Sequence, residues 1–390
     1  MSLSAVTNSL RLKEVIKTRI DDSPHQRITF AQYMNLVLYH HQYGYYSSGI
    51  ASIGSQGDFF TSASLGQDFG ELLAIQFAQM WHSLGCPNPF YLVEMGGGNG
   101  ELASDILNYW QGNQYLIDAL KYVIIEQSPA LIEQQQQQLQ SFNNYDLTWR
   151  TWSDILTESI EGVFFSNELV DAFPVHLVTK KDANLQEVYV TIDEDKLTET
   201  ISSVSTEKLA KYFAEIGIDL QQGNYPEGYR TEVNLHSQNW LETISHKLKR
   251  GYVVTIDYGY PAKKYYHPAR NQGTLQCYYQ HRRHNNPYVN LGYQDLTAHV
   301  DFTTLENQGN LHNLKSIGFT QQGLFLMALG LGDRLDELSS GKYNALEIFK
   351  RRDALHQLIN PAGLGGFGVL IQGKNLSSSQ ESLLGLKTPD

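Results

Sequence analysis

The chain has 390 residues with 29 basic against 41 acidic side chains, a net charge of −12 and 41% hydrophobic residues, which is enough for a large core and more than one structural unit. That acidic balance argues against a general binder of nucleic acid or of anionic membrane surfaces, since both attract basic faces. Two cysteines, no apolar run of about 18 residues and an N-terminus without an apolar h-region argue against a disulfide framework, a membrane span and a secretory signal, so a cytoplasmic protein without membrane insertion is expected.

The first 45 residues read as helical. In TFAQYMNLVLYHH, Phe30, Tyr33, Met34, Val37, Leu38 and His41 recur at helical spacing, and Thr29 with Gln32 forms a capping box. The Gly-, Ser- and aromatic-rich stretch from Gly44 to Ser64, which contains GDFFTS at 57–62, reads as loop. Residues 65–84 form an amphipathic helix that Gly85 stops. After Pro89 the rhythm becomes strand and helix in alternation. Strands are expected at 90–95, 121–126, 147–150, 162–166 and 251–257, with helices at 100–110, 129–141 and 152–158. Apolar strands separated by helices indicate a parallel sheet covered on both faces. The gap between the fourth and fifth strands is too long for one crossover. Within it, 176–202 reads as an inserted antiparallel hairpin turning at Asp182–Asn184, and 234–249 as the helix feeding the fifth strand. Then come a Tyr-, His- and Asn-rich loop at 259–298, a helix at 301–314, a closing strand at 367–373 and a loose tail. The QQQQQ at 134–138 reads as a solvated helix face. The expected organisation is a helical extension over 1–85, a core over 86–175 and 234–390, and an inserted subdomain over 176–233.

The most informative stretch is VEMGGGNGELASDIL, 93–107, where Gly96, Gly98 and Gly100 follow Glu94 between a strand and a helix. Glycines let the chain turn sharply and let a ligand lie against backbone. The helix then offers its free N–H groups to the same place. The dinucleotide fingerprint fails, because Glu101 stands where its third glycine belongs. E-x-G-x-G-x-G is instead the spacing of S-adenosyl-L-methionine binders. Glu94 suits the cationic end of that cofactor. Glu126, closing the second strand, suits both ribose hydroxyls. The fourth strand runs into FFSNELVDAFPV, 164–175, whose Asn167, Glu168 and Asp171 would face the methyl donor. Two carboxylates suit an arginine guanidinium, which pairs with them bidentately. Glu168 and Asp171 are therefore the expected catalytic pair, and Asn167 is placed on the cofactor side.

With these stretches in hand, the sequence resembles the MidA-type family of S-adenosylmethionine-dependent methyltransferases, whose eukaryotic members are mitochondrial assembly factors of respiratory complex I. ITFAQYMNLVLYHHQYGYY, GDFFTSASLGQDFG, SNELVDAFPV, VVTIDYGYP, GTLQCYYQHRRHNNPYVNLGYQDLTAHVDFTTL and FGVLIQGK carry the likeness along almost the whole chain. It departs at Gly97, where the family has proline. The resemblance implies an α/β class I methyltransferase fold, a Rossmann-like sheet with a helical N-terminal extension and an inserted α+β segment. It also implies a protein arginine N-methyltransferase acting on a complex I-type subunit. By position the family's cofactor motif falls on Glu94, Gly96, Gly98 and Gly100, and its N-E-x-x-D-A motif on Asn167, Glu168, Asp171 and Ala172.

Other features allow two readings each. Thr61 and Ser62 close over the cofactor as a lid, or belong to a structured loop. Asp257 and Tyr258 shape the acceptor pocket, or are structural. Asp295, His299 and Asp301 have metal-ligating types, yet methyl transfer needs no metal and none is expected. HRRH at 281–284 is a solvated loop or partner contact before it is an RNA contact. A non-catalytic cofactor-binding assembly chaperone, an RNA or small-molecule methyltransferase and a homodimeric assembly remain open alternatives.

Overall fold

The computed structural model describes residues 3–49, 61–222, 224–280 and 282–388. Its main sheet has seven strands: β1 (Phe90–Met95), β2 (Leu120–Ile125), β3 (Leu147–Arg150), β4 (Ile160–Asn167), β5 (Leu248–Asp257), β6 (Lys315–Gln321) and β7 (Gly368–Lys374). Their order is β6-β7-β5-β4-β1-β2-β3, and β7 alone runs against both its neighbours. The chain therefore starts at the centre and winds first to one edge, then to the other. This leaves a switch point between β1 and β4, where such sheets bind ligands outside their carboxyl ends.

Six of the seven strands fall where the sequence placed them, and β6 was not expected. β2 is buried from Tyr122 to Ile125 and β5 from Gly251 to Asp257. One face of the sheet packs on helices Asp68–Ser83 and Glu101–Trp110, with Phe77, Trp81 and Ile106 in that core. The other packs on His236–Lys247 and Phe302–Leu311 through Leu241, Ile244 and Leu305. Burial on both faces is why these strands lack the polar alternation of a half-exposed sheet.

A second, five-stranded sheet takes His176–Lys181, Asn184–Asp193, Lys196–Ser202, Arg230–Val233 and the N-terminal Ile28–Thr29. The hairpin turn falls at Asp182 and Ala183, both left-handed at φ +51° and +58°, as a two-residue turn between twisted strands requires. The expected hairpin thus gains a third strand, since the chain turns again at Glu194–Asp195. Helices Leu3–Asp21 and Phe30–Tyr39 share one core with this sheet, formed by Leu12, Ile16, Met34, Leu177 and Val188. Thr29 caps the second helix: Gln32 N–H donates to its hydroxyl at 3.1 Å, and Thr29 N–H donates back to the Gln32 side chain at 3.0 Å. Replacing Thr29 by Ala is expected to cost about 1 kcal/mol in chemical denaturation, with an unchanged slope.

Several expectations are corrected. The helix at 152–158 is a single turn, Trp152–Asp154. The 259–298 stretch is no plain loop: Gln276–Tyr279 pairs with both Arg282–His284 and Asp295–Thr297. The tail is tied down, with Gln380 donating to the Ser83 carbonyl at 2.7 Å and Leu383 buried.

Candidate active site

The carboxyl ends of β1, β2, β4 and β5 open into a cleft of about 1290 Å³. Sites for one small ligand are typically about 300–1000 Å³, so a nucleoside cofactor and an acceptor side chain fit together.

The glycine turn forms its first wall. Gly96, Gly98 and Gly100 all have positive φ, at +70°, +54° and +87°. At Gly96 a Cβ would also stand 2.7 Å from Leu169 Cδ1, so another residue would have to turn the Leu169 side chain as well as hold a strained φ. Gln135 braces the turn from beneath. It is fully buried, its Nε2 donates to the Gly98 carbonyl at 2.8 Å and to Glu126 Oε2 at 3.4 Å, and its Oε1 accepts from the Trp149 indole at 2.8 Å. The glutamine run is therefore not wholly a solvated face. The missed signal is positional: Leu131 and Leu139, four residues to either side, put Gln135 on the apolar stripe. Gln135→Leu keeps the bulk but strands the Gly98 carbonyl and the Trp149 N–H, and should weaken cofactor binding by about tenfold in calorimetry.

Two acids flank this wall. Glu126 follows β2; its Oε1 accepts the backbone N–H groups of Gln127 at 2.7 Å and Ser128 at 2.9 Å, which fix the carboxylate where it lines the cleft. Glu94, in β1, is buried, takes a 2.8 Å hydrogen bond from the Tyr122 hydroxyl and also lines the cleft. Burial lifts its pKa to about 7.

The opposite wall follows β4. Glu168 is left-handed at φ +50°, a conformation that costs a non-glycine residue about 1–3 kcal/mol and persists where surroundings enforce it. Here its N–H is held by the Ile256 carbonyl at 2.9 Å. Its Oε1 accepts from Ser62 N–H at 2.9 Å and Asn167 Nδ2 at 3.2 Å. Asp171 is buried and takes a hydrogen bond from the Tyr258 hydroxyl. Burial, then the neighbouring Asp171, raises Glu168 to about 8; burial raises Asp171 to about 6. Asp257 explains the shape of this turn. It is fully buried; one oxygen accepts from Val170 N–H at 2.9 Å and Asp171 N–H at 3.3 Å, the other from Tyr258 N–H at 2.8 Å. Of the two readings for that pair, Asp257 is structural and Tyr258 lines the cleft.

The remaining expected residues sort by place. Thr61 is buried and lines the cleft, and Ser62 reaches Glu168, while 57–60 of GDFFTS lie outside the described residues. Among the described residues no three acids, histidines or cysteines gather as a metal site. Asp295 instead accepts from the Tyr46 hydroxyl at 2.8 Å, and Asp301 caps helix Phe302–Leu311 through Thr303 N–H at 3.0 Å. His299 lines the cleft between the Tyr258 and Tyr260 rings, each 5.2 Å away. Of HRRH, His281 lies outside the described residues, and Arg283 lines the cleft.

What such a cleft suits can be read from its unmet needs. Asn167 Oδ1 and Asp171 Oδ1 are buried with no hydrogen-bond partner among the described residues. Two orphaned acceptor oxygens beside two desolvated carboxyl groups call for a cationic, hydrogen-bond-donating ligand. On the other wall, bare backbone at the glycines and the oriented Glu126 fit the ribose and amino-acid parts of an adenosylated amino acid.

Comparison with known proteins gives the same class. A family model for S-adenosyl-L-methionine-dependent methyltransferases matches residues 72–320. Curated relatives include the mitochondrial protein arginine methyltransferase NDUFAF7 homolog of Drosophila melanogaster, 29% identical over 87% of this chain and 79% of its own. The mitochondrial protein arginine methyltransferase NDUFAF7 of Homo sapiens is 27% identical over 87% of this chain and 78% of its own. Among solved structures, a Burkholderia thailandensis protein crystallised with S-adenosyl-homocysteine is 30% identical, with a TM-score of 0.88 over 99% of this chain and 96% of that one.

Proposed function

This chain belongs to the MidA-type family of S-adenosyl-L-methionine-dependent methyltransferases, and from that premise we propose that it methylates an arginine side chain of a protein. Its cofactor is S-adenosyl-L-methionine, which supplies an electrophilic methyl group on a sulfonium. We assign its grip to the backbone of Gly96, Gly98 and Gly100, to Glu126 at the ribose and to Glu94, Asn167 and Thr61 around the amino-acid portion. Glu168 and Asp171 receive the guanidinium. Their carboxylates draw its positive charge toward two nitrogens and leave electron density on the third, which faces the methyl group. Glu168, raised to about 8, is matched to take, from a nitrogen it holds, the proton that the methylated guanidinium sheds on returning to a single positive charge.

One observation carries this reading. Glu168 and Asp171 sit together in a desolvated wall, and what lifts Glu168, after burial, is the other carboxylate. A paired acid site of this kind is completed by a planar cation with several donors. The curated relatives named above are protein arginine methyltransferases, which favours a protein acceptor; we place it among complex I-type subunits. Both cysteines are free thiols, in keeping with a reducing compartment such as the cytoplasm. Among the described residues no helix is long and apolar enough to cross a membrane.

The test is a proteome-wide mass spectrum of cells lacking this protein. At least one arginine methylation should be missing, returning with the wild-type chain but not with Glu168→Gln. An unchanged set of arginine methylations would remove the proposal.

A further inference from the structure

Resting on the arginine reading, we propose that the mouth of the cleft holds a second subsite, for a carboxylate of the acceptor protein, formed by Lys264, Arg270 and Arg283 around Tyr260. In a chain of net charge −12 these three cations line one cleft. Arg270 lies 4.7 Å above the Tyr260 ring and the Lys264 ammonium 4.1 Å from the same ring. Arg283 stands opposite Tyr278 in the antiparallel pair beside them.

Some half-buried arginines elsewhere in the chain are paired with acids. Arg230 is bidentate on Glu199, and Arg351 on Asp68. Lys264, Arg270 and Arg283 have no ion-pair partner among the described residues. Lys264 and Arg270 share the Tyr260 ring, and an anion placed between them and Arg283 would supply the charge pairing that all three lack. Two donors here are also unmet: Arg270 Nε and Thr297 Oγ1 are buried without a hydrogen-bond partner among the described residues. His299 registers the same field. After burial, Arg270, Arg283 and Lys264 lower its pKa to about 4, so it stays neutral and adds no charge.

The cleft is thus acidic at its floor and basic at its rim. That pattern selects an arginine with an acidic side chain near it, and disfavours an arginine within a basic tract. RNA is the other class a basic rim attracts, but its phosphates would meet Glu168 and Asp171 on the way in.

The experiment uses the full chain loaded with S-adenosyl-homocysteine and fluorescein-labelled, C-terminally amidated peptides. Each peptide has one arginine and, two or three positions away, Glu, Gln or Lys. The Glu peptide should bind about tenfold more tightly than the Gln peptide. Arg270→Glu combined with Arg283→Glu should reverse the order in favour of the Lys peptide, and that gain also shows that the variant is folded. Equal affinity for Glu and Gln peptides in the wild type overturns the subsite. So does an unchanged order in the variant, or displacement of the Glu peptide by single-stranded RNA at the same concentration. The arginine reading is judged separately by adding S-adenosyl-L-methionine. If the Glu peptide binds selectively but its arginine gains no methyl group, the subsite stands and the arginine reading falls.

Discussion

Glu168→Gln should abolish methyl transfer while leaving cofactor binding in place. Glutamine keeps the shape of Glu168 and can still accept the Ser62 N–H, but it carries no charge and takes no proton. Loss of a charge-assisted bidentate partner together with a proton acceptor is expected to lower kcat by at least about 100-fold. Because Glu168 lies on the acceptor wall, calorimetry should find S-adenosyl-L-methionine affinity within about threefold of the wild type, the pattern of an interaction made in the transition state. A normal rate would remove Glu168 from the mechanism.

The pH profile follows from the same group. Glu168 must be ionised to hold a guanidinium, and in the free protein it titrates near 8. For the wild type, kcat/KM should therefore rise with pH and level off above about 8, since that parameter reports the free enzyme. Stability runs the other way. Glu94 and Glu168 move from an ordinary value of 4.5 to about 7 and about 8. Between about 4.5 and 8 the folded chain thus binds more protons than the unfolded one, and stability without ligand falls as pH rises through that window. A cationic ligand favours the ionised carboxylates, so binding S-adenosyl-L-methionine should release protons. The neutral thioether S-adenosyl-homocysteine should release fewer, and calorimetry in buffers of different ionisation enthalpy reads the difference.

Two changes on the cofactor wall should have the second large effect. Glu126→Ala removes the carboxylate that Gln127 and Ser128 N–H groups aim, and with it two charge-assisted hydrogen bonds to a ribose. The expected loss is about 100-fold in S-adenosyl-L-methionine affinity. Gly96→Ala attacks the same site through backbone: its φ of +70° disfavours any side chain, and the new methyl group meets Leu169 at 2.7 Å. It should lose cofactor binding as severely, and it should slow transfer at saturating cofactor too, because Leu169 is the next residue after Glu168. Retained affinity in both variants would mean that the cofactor lies elsewhere.

Much of this was legible in the sequence because the relevant signals are local. Strands buried on both faces are continuous apolar runs, and the strand-turn-helix at 90–110 carries its own glycines. Glu126 and the Asn167–Asp171 motif each sit directly after a strand, where a parallel sheet presents its ligand edge. The losses have the opposite cause. β6, KSIGFTQ, is an edge strand with Lys315 and Gln321 exposed, so its pattern is faint. The sheet within 259–298 is built from strands of three or four residues, too short for alternation to register. Gln135 was hidden by its four glutamine neighbours. Lys264 and Arg270 reach the cleft only through tertiary packing, from segments far along the chain from the glycine turn.

The most direct measurement is tandem mass spectrometry of a purified complex I-type subunit after incubation with this protein and S-adenosyl-L-methionine carrying a deuterated methyl group. The account predicts label on an arginine side chain, absent with Glu168→Gln. Label confined to lysine, a carboxylate or co-purifying RNA would contradict it.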